Sequence, residues 1–295
     1  MRGHVAGIHG QGRLSLLATR VFEGLPPVPI ERADRTERAI HDGQVTLFLS
    51  CHGGAGGTTI ATTVGAMLAG EGKRVCILDL DLQFGEVLTA LNMRNHCPIS
   101  TLIQQPGPIA EADLLPRLSR HPTGLHVLSQ VGNIDGVGTV DPARLSELLR
   151  QVRECFDHVL IDGVRDFNDH ALSVMDLADT FVLVATQDVP ALRGLLMRLE
   201  LLKRLHFHRA ALHVLINRYS SRATVSLATI ETALGVQPSH IVRNDFRTVH
   251  RALNDGTPLP ELAPHAPVTR DLWAVVHDLY GLEARRPRRL FGSKR

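Results

Sequence analysis

The sequence predicts an α/β domain with a mostly parallel sheet and helices on both of its faces, and three observations carry that expectation. From residue 45 onward, short apolar runs alternate with segments whose leucines, valines and methionines recur three or four residues apart. The runs are continuous rather than alternating, as strands covered on both faces are. A knot of glycines follows the first run, with a helix-like segment behind it, at the kind of strand end where such sheets bind ligands.

The runs cover residues 45–50, 75–79, 125–128, 158–162, 180–186 and 212–217, and each reads as a strand. The helical segments between and after them are 58–70, 142–155, 168–177, 191–205 and 268–280. Local punctuation fixes several ends. Asp141-Pro142 offers an N-cap and a first-turn proline, Pro190 opens the 191–205 helix, Gly70 and Gly72 close the first helix, and Gly281 ends the last. Residues 1–43, with Pro26, Pro27 and Pro29 between two short helical stretches at 14–22 and 32–41, form an arm too short to be a domain. The expected organisation is therefore an arm at 1–43, partly disordered, a domain at 44–282 and a basic tail at 283–295.

Composition narrows the class. At 295 residues, 44% hydrophobic and 21% charged, the chain can bury a full core, and no apolar run approaches the roughly 20 residues needed to span a bilayer. With no signal segment at its start, it is expected in the cytoplasm. The four cysteines, Cys51, Cys76, Cys97 and Cys155, show no CxxC spacing and read as free thiols, buried at least for Cys51 and Cys76. His206, His208 and His213 crowd one stretch without the spacing of a helical metal pair. The net charge is +2, yet Arg285, Arg286, Arg288, Arg289, Lys294 and Arg295 lie in the tail. Subtracting those six charges leaves residues 1–283 at −4. A mildly acidic body argues against DNA binding.

Candidate chemistry begins in residues 45–65, VTLFLSCHGGAGGTTIATTVG. Gly53, Gly54, Gly56 and Gly57, with Ala55 between them, let backbone N–H groups converge on an anion, and the following helix adds its positive end. Thr58 is placed to hold Mg²⁺. The pattern GxxxxGK[ST] needs a lysine before that threonine, and this chain has Gly57 there. A glycine-rich loop that binds nothing is the alternative. Downstream, Asp79 and Asp81 follow one strand and Asp162 ends another, the arrangement that holds the water shell of Mg²⁺ beside a phosphate loop. For each acid singly, capping of the next element is the alternative.

With these residues in place, the chain resembles the MinD/ParA class of deviant-Walker P-loop NTPases, and most of all its CpaE/TadZ branch in Flp/Tad type IVb pilus assembly. HGGAGGTT at 52–59 stands where the class writes KGGxGKTT. The branch resemblance rests on DLDLQFGEV at 79–87, FDHVLID at 156–162, ADTFVLVATQDVPALR at 178–193, INRYS at 216–220 and RNDFRTVHRALNDGTPL at 243–259. The resemblance implies ATP or ADP with Mg²⁺ bound at Gly53, Gly54, Ala55, Gly56, Gly57, Thr58 and Thr59. Thr58 and, through water, Asp162 would hold the metal, Thr59 would bond the α-phosphate, Asp81 would orient the attacking water, and Asn217 would contact adenine. The class lysine that reaches across a dimer falls on His52, and the phosphate lysine falls on Gly57.

A charged contact to phosphate is worth about 1.5–3 kcal/mol, so its loss weakens binding on the order of 10- to 150-fold. A cation reaching the transition state from a partner contributes roughly 10³–10⁵ in rate. An imidazole at position 52 is at best a partial replacement near neutral pH, and Arg165, just after the second acidic strand, is the other substitute. An ordinary surface arginine is the alternative for Arg165. The resemblance therefore implies a homodimer that works as a localisation or assembly factor for a Tad-type pilus or secretion apparatus. It would bind nucleotide weakly, hydrolyse little, and sit in the cytoplasm at the inner membrane face or the cell pole. The basic tail, with only Leu290 and Phe291 as apolar anchors, would add at most a weak contact to anionic lipid. An active, dimerising ATPase and a DNA-partition protein are the rival readings. The branch's N-terminal receiver-like domain would find no room in a 43-residue arm.

Overall fold

The computed structural model describes residues 43–282, apart from 131–135 and 208–209, so the arm and the basic tail lie outside the described residues. Eight strands form one sheet in the order β3-β4-β2-β5-β1-β6-β7-β8. They are β1 (Gln44–Ser50), β2 (Val75–Asp79), β3 (Ser119–Arg120), β4 (His126–Leu128), β5 (His158–Asp162), β6 (Thr180–Thr186), β7 (Ala211–Tyr219) and β8 (His240–Arg243). All pairings are parallel except that of β3 with β4.

The period-2 alternation of side chains divides each central strand between two apolar layers. Val45, Leu47 and Leu49 of β1 face one layer with Val159 and Ile161 of β5. Phe48 and Leu160 face the other. The first layer is closed by α5 (Pro142–Cys155), α6 (Asp169–Met175) and α7 (Val189–Arg204). The second is closed by α1 (Gly57–Gly70), α9 (Phe246–Asp255), α10 (Leu259–Leu262) and α11 (Pro267–Tyr280). Short helices α2 (Val87–Ala90), α3 (Ile99–Ile103) and α4 (Glu111–Leu114) lie between β2 and β3, and α8 (Leu227–Leu234) lies between β7 and β8.

The caps follow the side chains. Asp141 accepts from Arg144 N–H at the start of α5, and Gly281, at φ 68°, ends α11. The α7 helix starts two residues earlier than expected, because Asp188 caps it through Ala191 N–H and Pro190 sits inside its first turn. The β8 strand and α9 are not among the elements expected from the sequence. One is four residues long and the other buries only Ala252 among its ten residues. Cys51, Cys76 and Cys155 are buried free thiols, and Cys97 is half-buried.

Candidate nucleotide site

Central β1 ends at Ser50, and the chain passes through the glycine loop into α1, whose N-terminus has no side-chain cap and no acid in its first turn. The first N–H groups of a helix have no intrahelical acceptor, so this end of α1 presents donors and a positive dipole to the loop. Ala55 N–H closes the loop on the carbonyl of His52. Two glycines are dictated by their neighbours. Gly56, at φ 95°, lies so close to Asn217 that an added Cβ would stand 2.4 Å from Nδ2, and a Cβ on Gly57 would stand 2.3 Å from Ser50 Oγ.

Two of the three acids stand side by side where their strands pair. Asp79 and Asp162 are register partners on β2 and β5, and both are buried. Thr58 Oγ1 donates to Asp162 Oδ2 at 2.6 Å. Asp79 accepts from the N–H groups of Asp81 at 3.1 Å and Val87 at 3.4 Å. Burial pushes Asp79 up to about 8, helped by the nearby Asp162 charge, and pushes Asp162 up to about 6 against the lowering hydrogen bond from Thr58. The Thr58 hydroxyl and the Asp162 carboxylate offer oxygen ligands, which suit a hard cation such as Mg²⁺.

The cations are elsewhere engaged. Arg165 forms an ion pair with Asp81, leaving the arginine 70% exposed and the aspartate 11% exposed. His52 has both ring nitrogens occupied, Nδ1 by the Gly53 carbonyl and Nε2 by Thr186 Oγ1, each at 2.7 Å. Thr186 in turn bonds Asp188, the cap of α7. Asn217, expected as an adenine contact, lies at the loop, where it donates to Ala55 O at 2.8 Å and accepts from Arg218 N–H, so its amide braces the loop. Thr59 and Gly56 edge a cavity of about 170 Å³ whose far wall is Phe246, Val249 and His250 of α9. Sequence reasoning missed this wall. The signal was an exposed Phe246 four residues before His250, whose rings now lie 5.1 Å apart. It also missed Arg198, which steadies the loop through a 2.8 Å bond to Cys51 O.

A glycine loop between a central parallel strand and a helix, beside paired acids on two adjacent strand ends, defines a P-loop nucleotide-binding protein. The family model described as "AAA domain" matches residues 43–214, more than half of the chain, and the chain belongs to this family, among P-loop ATPases of the MinD/ParA kind. The septum site-determining protein MinD of Bacillus subtilis is 24% identical over 225 residues, 74% of this chain and 82% of that protein. The chromosome-partitioning ATPase Soj of Thermus thermophilus is 30% identical over 182 residues, 59% of this chain and 69% of that protein. Among solved structures, a ParA family ATPase from Chlorobium tepidum superposes with a TM-score of 0.74 at 20% identity, covering 79% of this chain and 98% of its own. MinD of Pyrococcus horikoshii, solved with Mg-ADP, gives 0.66 at 18%, covering 78% and 93%.

Proposed function

We propose that this chain is a CpaE/TadZ-like placement factor for a Tad-type pilus or secretion apparatus, which binds ATP or ADP with Mg²⁺ weakly and turns it over little. The segments at 79–87, 178–193, 216–220 and 243–259 support the branch. The observation that carries the weak site is position 57, where a glycine packs against Ser50 Oγ, with Asp162 Oδ1 the next nearest side chain to where a Cβ would stand. Thr58 and, through water, Asp162 would hold the cation, the α1 N-terminus would receive the phosphates, and the α9 cavity would take the base. Equilibrium binding of ATP and ADP, with and without Mg²⁺, tests this. Micromolar or weaker, Mg²⁺-dependent binding with background turnover supports it. Steady turnover that Asp162→Ala removes would replace it by the working-ATPase reading, in which Arg165 leaves Asp81 for the phosphates.

The same face is proposed to form a two-fold dimer. It exposes Phe84, 71% accessible after β2, and Met197, 56% accessible on α7. Met197, Phe167 and Leu201 line a groove of about 460 Å³ that reaches Arg165. Sedimentation at micromolar concentration should show dimer with little dependence on hydrolysis. A monomer both with and without saturating ATP–Mg²⁺ would exclude it. Among the described residues no helix is long and apolar enough to cross a membrane. Placement at the inner membrane face or pole would then rest on the partner, with the basic tail adding a weak anionic-lipid contact.

A further inference from the structure

Strands β7 and β8 pair with Leu215 opposite His240. Side chains alternate along a strand, so His213 and Leu215 share one face of β7, and His240 and Val242 share the same face of β8. Leu215 and Val242 belong to the apolar layer under α11, whereas Val214 and Ile216 belong to the opposite layer. Both histidines therefore face α11, and Asp278 in its last turn faces them. Asp278 Oδ2 lies 3.4 Å from His240 Nε2 and 3.8 Å from His213 Nδ1. The three ligand atoms all lie within 4.8 Å of one another. Only Asp278 opens to water, its side chain half exposed against 6% for His240 and 17% for His213.

These separations are long for hydrogen bonds, which cluster near 2.7–3.2 Å. They are close to the spacing of neighbouring ligands on a tetrahedral ion, which at metal–ligand distances of about 2.0–2.1 Å is about 3.3–3.4 Å. We propose that His213, His240 and Asp278 bind one divalent transition-metal ion of the zinc class, fastening the last helix to the edge of the sheet. Two imidazole nitrogens and one carboxylate suit Zn²⁺ and disfavour Mg²⁺ and Ca²⁺, which take oxygen. The two imidazole rings lie stacked with centroids 5.5 Å apart, so His213 would have to turn and close toward Asp278 to complete three ligands, and the fourth position opens to water on the Asp278 side. The ligands come from three separate elements, and none of them belongs to the nucleotide site.

The test is a Zn²⁺ titration of the metal-free full chain by calorimetry, with Co²⁺ absorption as the geometric probe and thermal melts as the structural one. Wild type should bind one more Zn²⁺ per chain than Asp278→Ala or His213→Ala, or bind it at least about 10-fold more tightly. Co²⁺ should give an intense visible band of the four-coordinate type, and Zn²⁺ should raise the melting temperature of wild type but not of Asp278→Ala or His213→Ala. Asp162→Asn, which alters the nucleotide site alone, should keep all three responses. Asp278 is half exposed, so its alanine variant decides the matter even where a histidine variant folds poorly. Equal Zn²⁺ stoichiometry and affinity in wild type and Asp278→Ala would overturn the site, as would a Co²⁺ spectrum unchanged from the free ion.

Discussion

The two halves of the nucleotide site contrast sharply. On the β2–β5 side the acids are in place: Asp79 and Asp162 are buried side by side, and Thr58 is already bonded to Asp162. On the loop side, position 57 is glycine, His52 is tied to Thr186, and Arg165 answers Asp81 instead of the loop. Buried carboxylates are costly unless a cation or proton offsets them. Here burial favours their protonated forms, and a bound cation would offset the charge in the proton's place, while neither position 52 nor position 57 of the loop carries a lysine.

The acidic half makes the largest prediction. Asp79 holds its proton up to about pH 8 in the fold, whereas an unfolded aspartate releases it near 4, and Asp162 behaves likewise up to about 6. Between those limits the native state binds more protons, so stability falls as pH rises, by up to about 1.4 kcal/mol per pH unit for each group. Thermal melts in chelator from pH 5 to 9 should therefore decline, most steeply below pH 8. Asp79→Asn should flatten the decline between pH 6 and 8, and Mg²⁺ should raise the melting temperature more at pH 8 than at pH 5. A flat profile for wild type would show that the two acids are not held under strain.

The loop half makes the next. Gly57→Lys should tighten ATP binding on the order of 10- to 150-fold, the worth of one charged phosphate contact. The structure adds a condition, because the lysine Cβ would meet Ser50 Oγ. That hydroxyl can rotate away, and Ser50→Ala removes it, so the double variant should bind at least as tightly as the single one. His52→Lys in this background should then raise turnover, since Asp81, Asp162 and Thr58 remain. Calorimetry and phosphate release measure the two steps. Unchanged affinity in both lysine variants would mean that the loop does not face the phosphates.

What was legible in the sequence was whatever is local. Continuous apolar runs gave the buried strands, glycines before Thr58 gave the loop, and an aspartate at the end of each of two such runs gave the paired acids. What was not legible depends on contacts across the sheet. Nothing in a His-rich stretch at 206–213 says that His213 will meet His240 and Asp278, nor that His52 will spend its nitrogens on Thr186. The wall of α9 was missed although Phe246, Val249 and Leu253 recur three and four residues apart, because that stripe faces the cavity and leaves Phe246 and Leu253 exposed instead of packing into the core.

Arg165 carries the smallest expected effect and the sharpest division between readings. Its guanidinium is 70% exposed, and an ion pair so open to solvent is worth at most about 1 kcal/mol, so Arg165→Ala should barely move the melting temperature. If the arginine only screens Asp81, the variant should leave background turnover where it was and slightly change Mg²⁺ affinity, because Asp81 is freed to face the cation. If the arginine swings onto the γ-phosphate in the nucleotide-bound state, it must first leave Asp81, and Arg165→Ala would then lower ATP affinity and turnover together while sparing ADP. Comparing ATP with ADP affinity in this one variant separates the two cases. The pairing seen here, cation on acid rather than cation on loop, predicts that the ratio of the two affinities stays that of wild type.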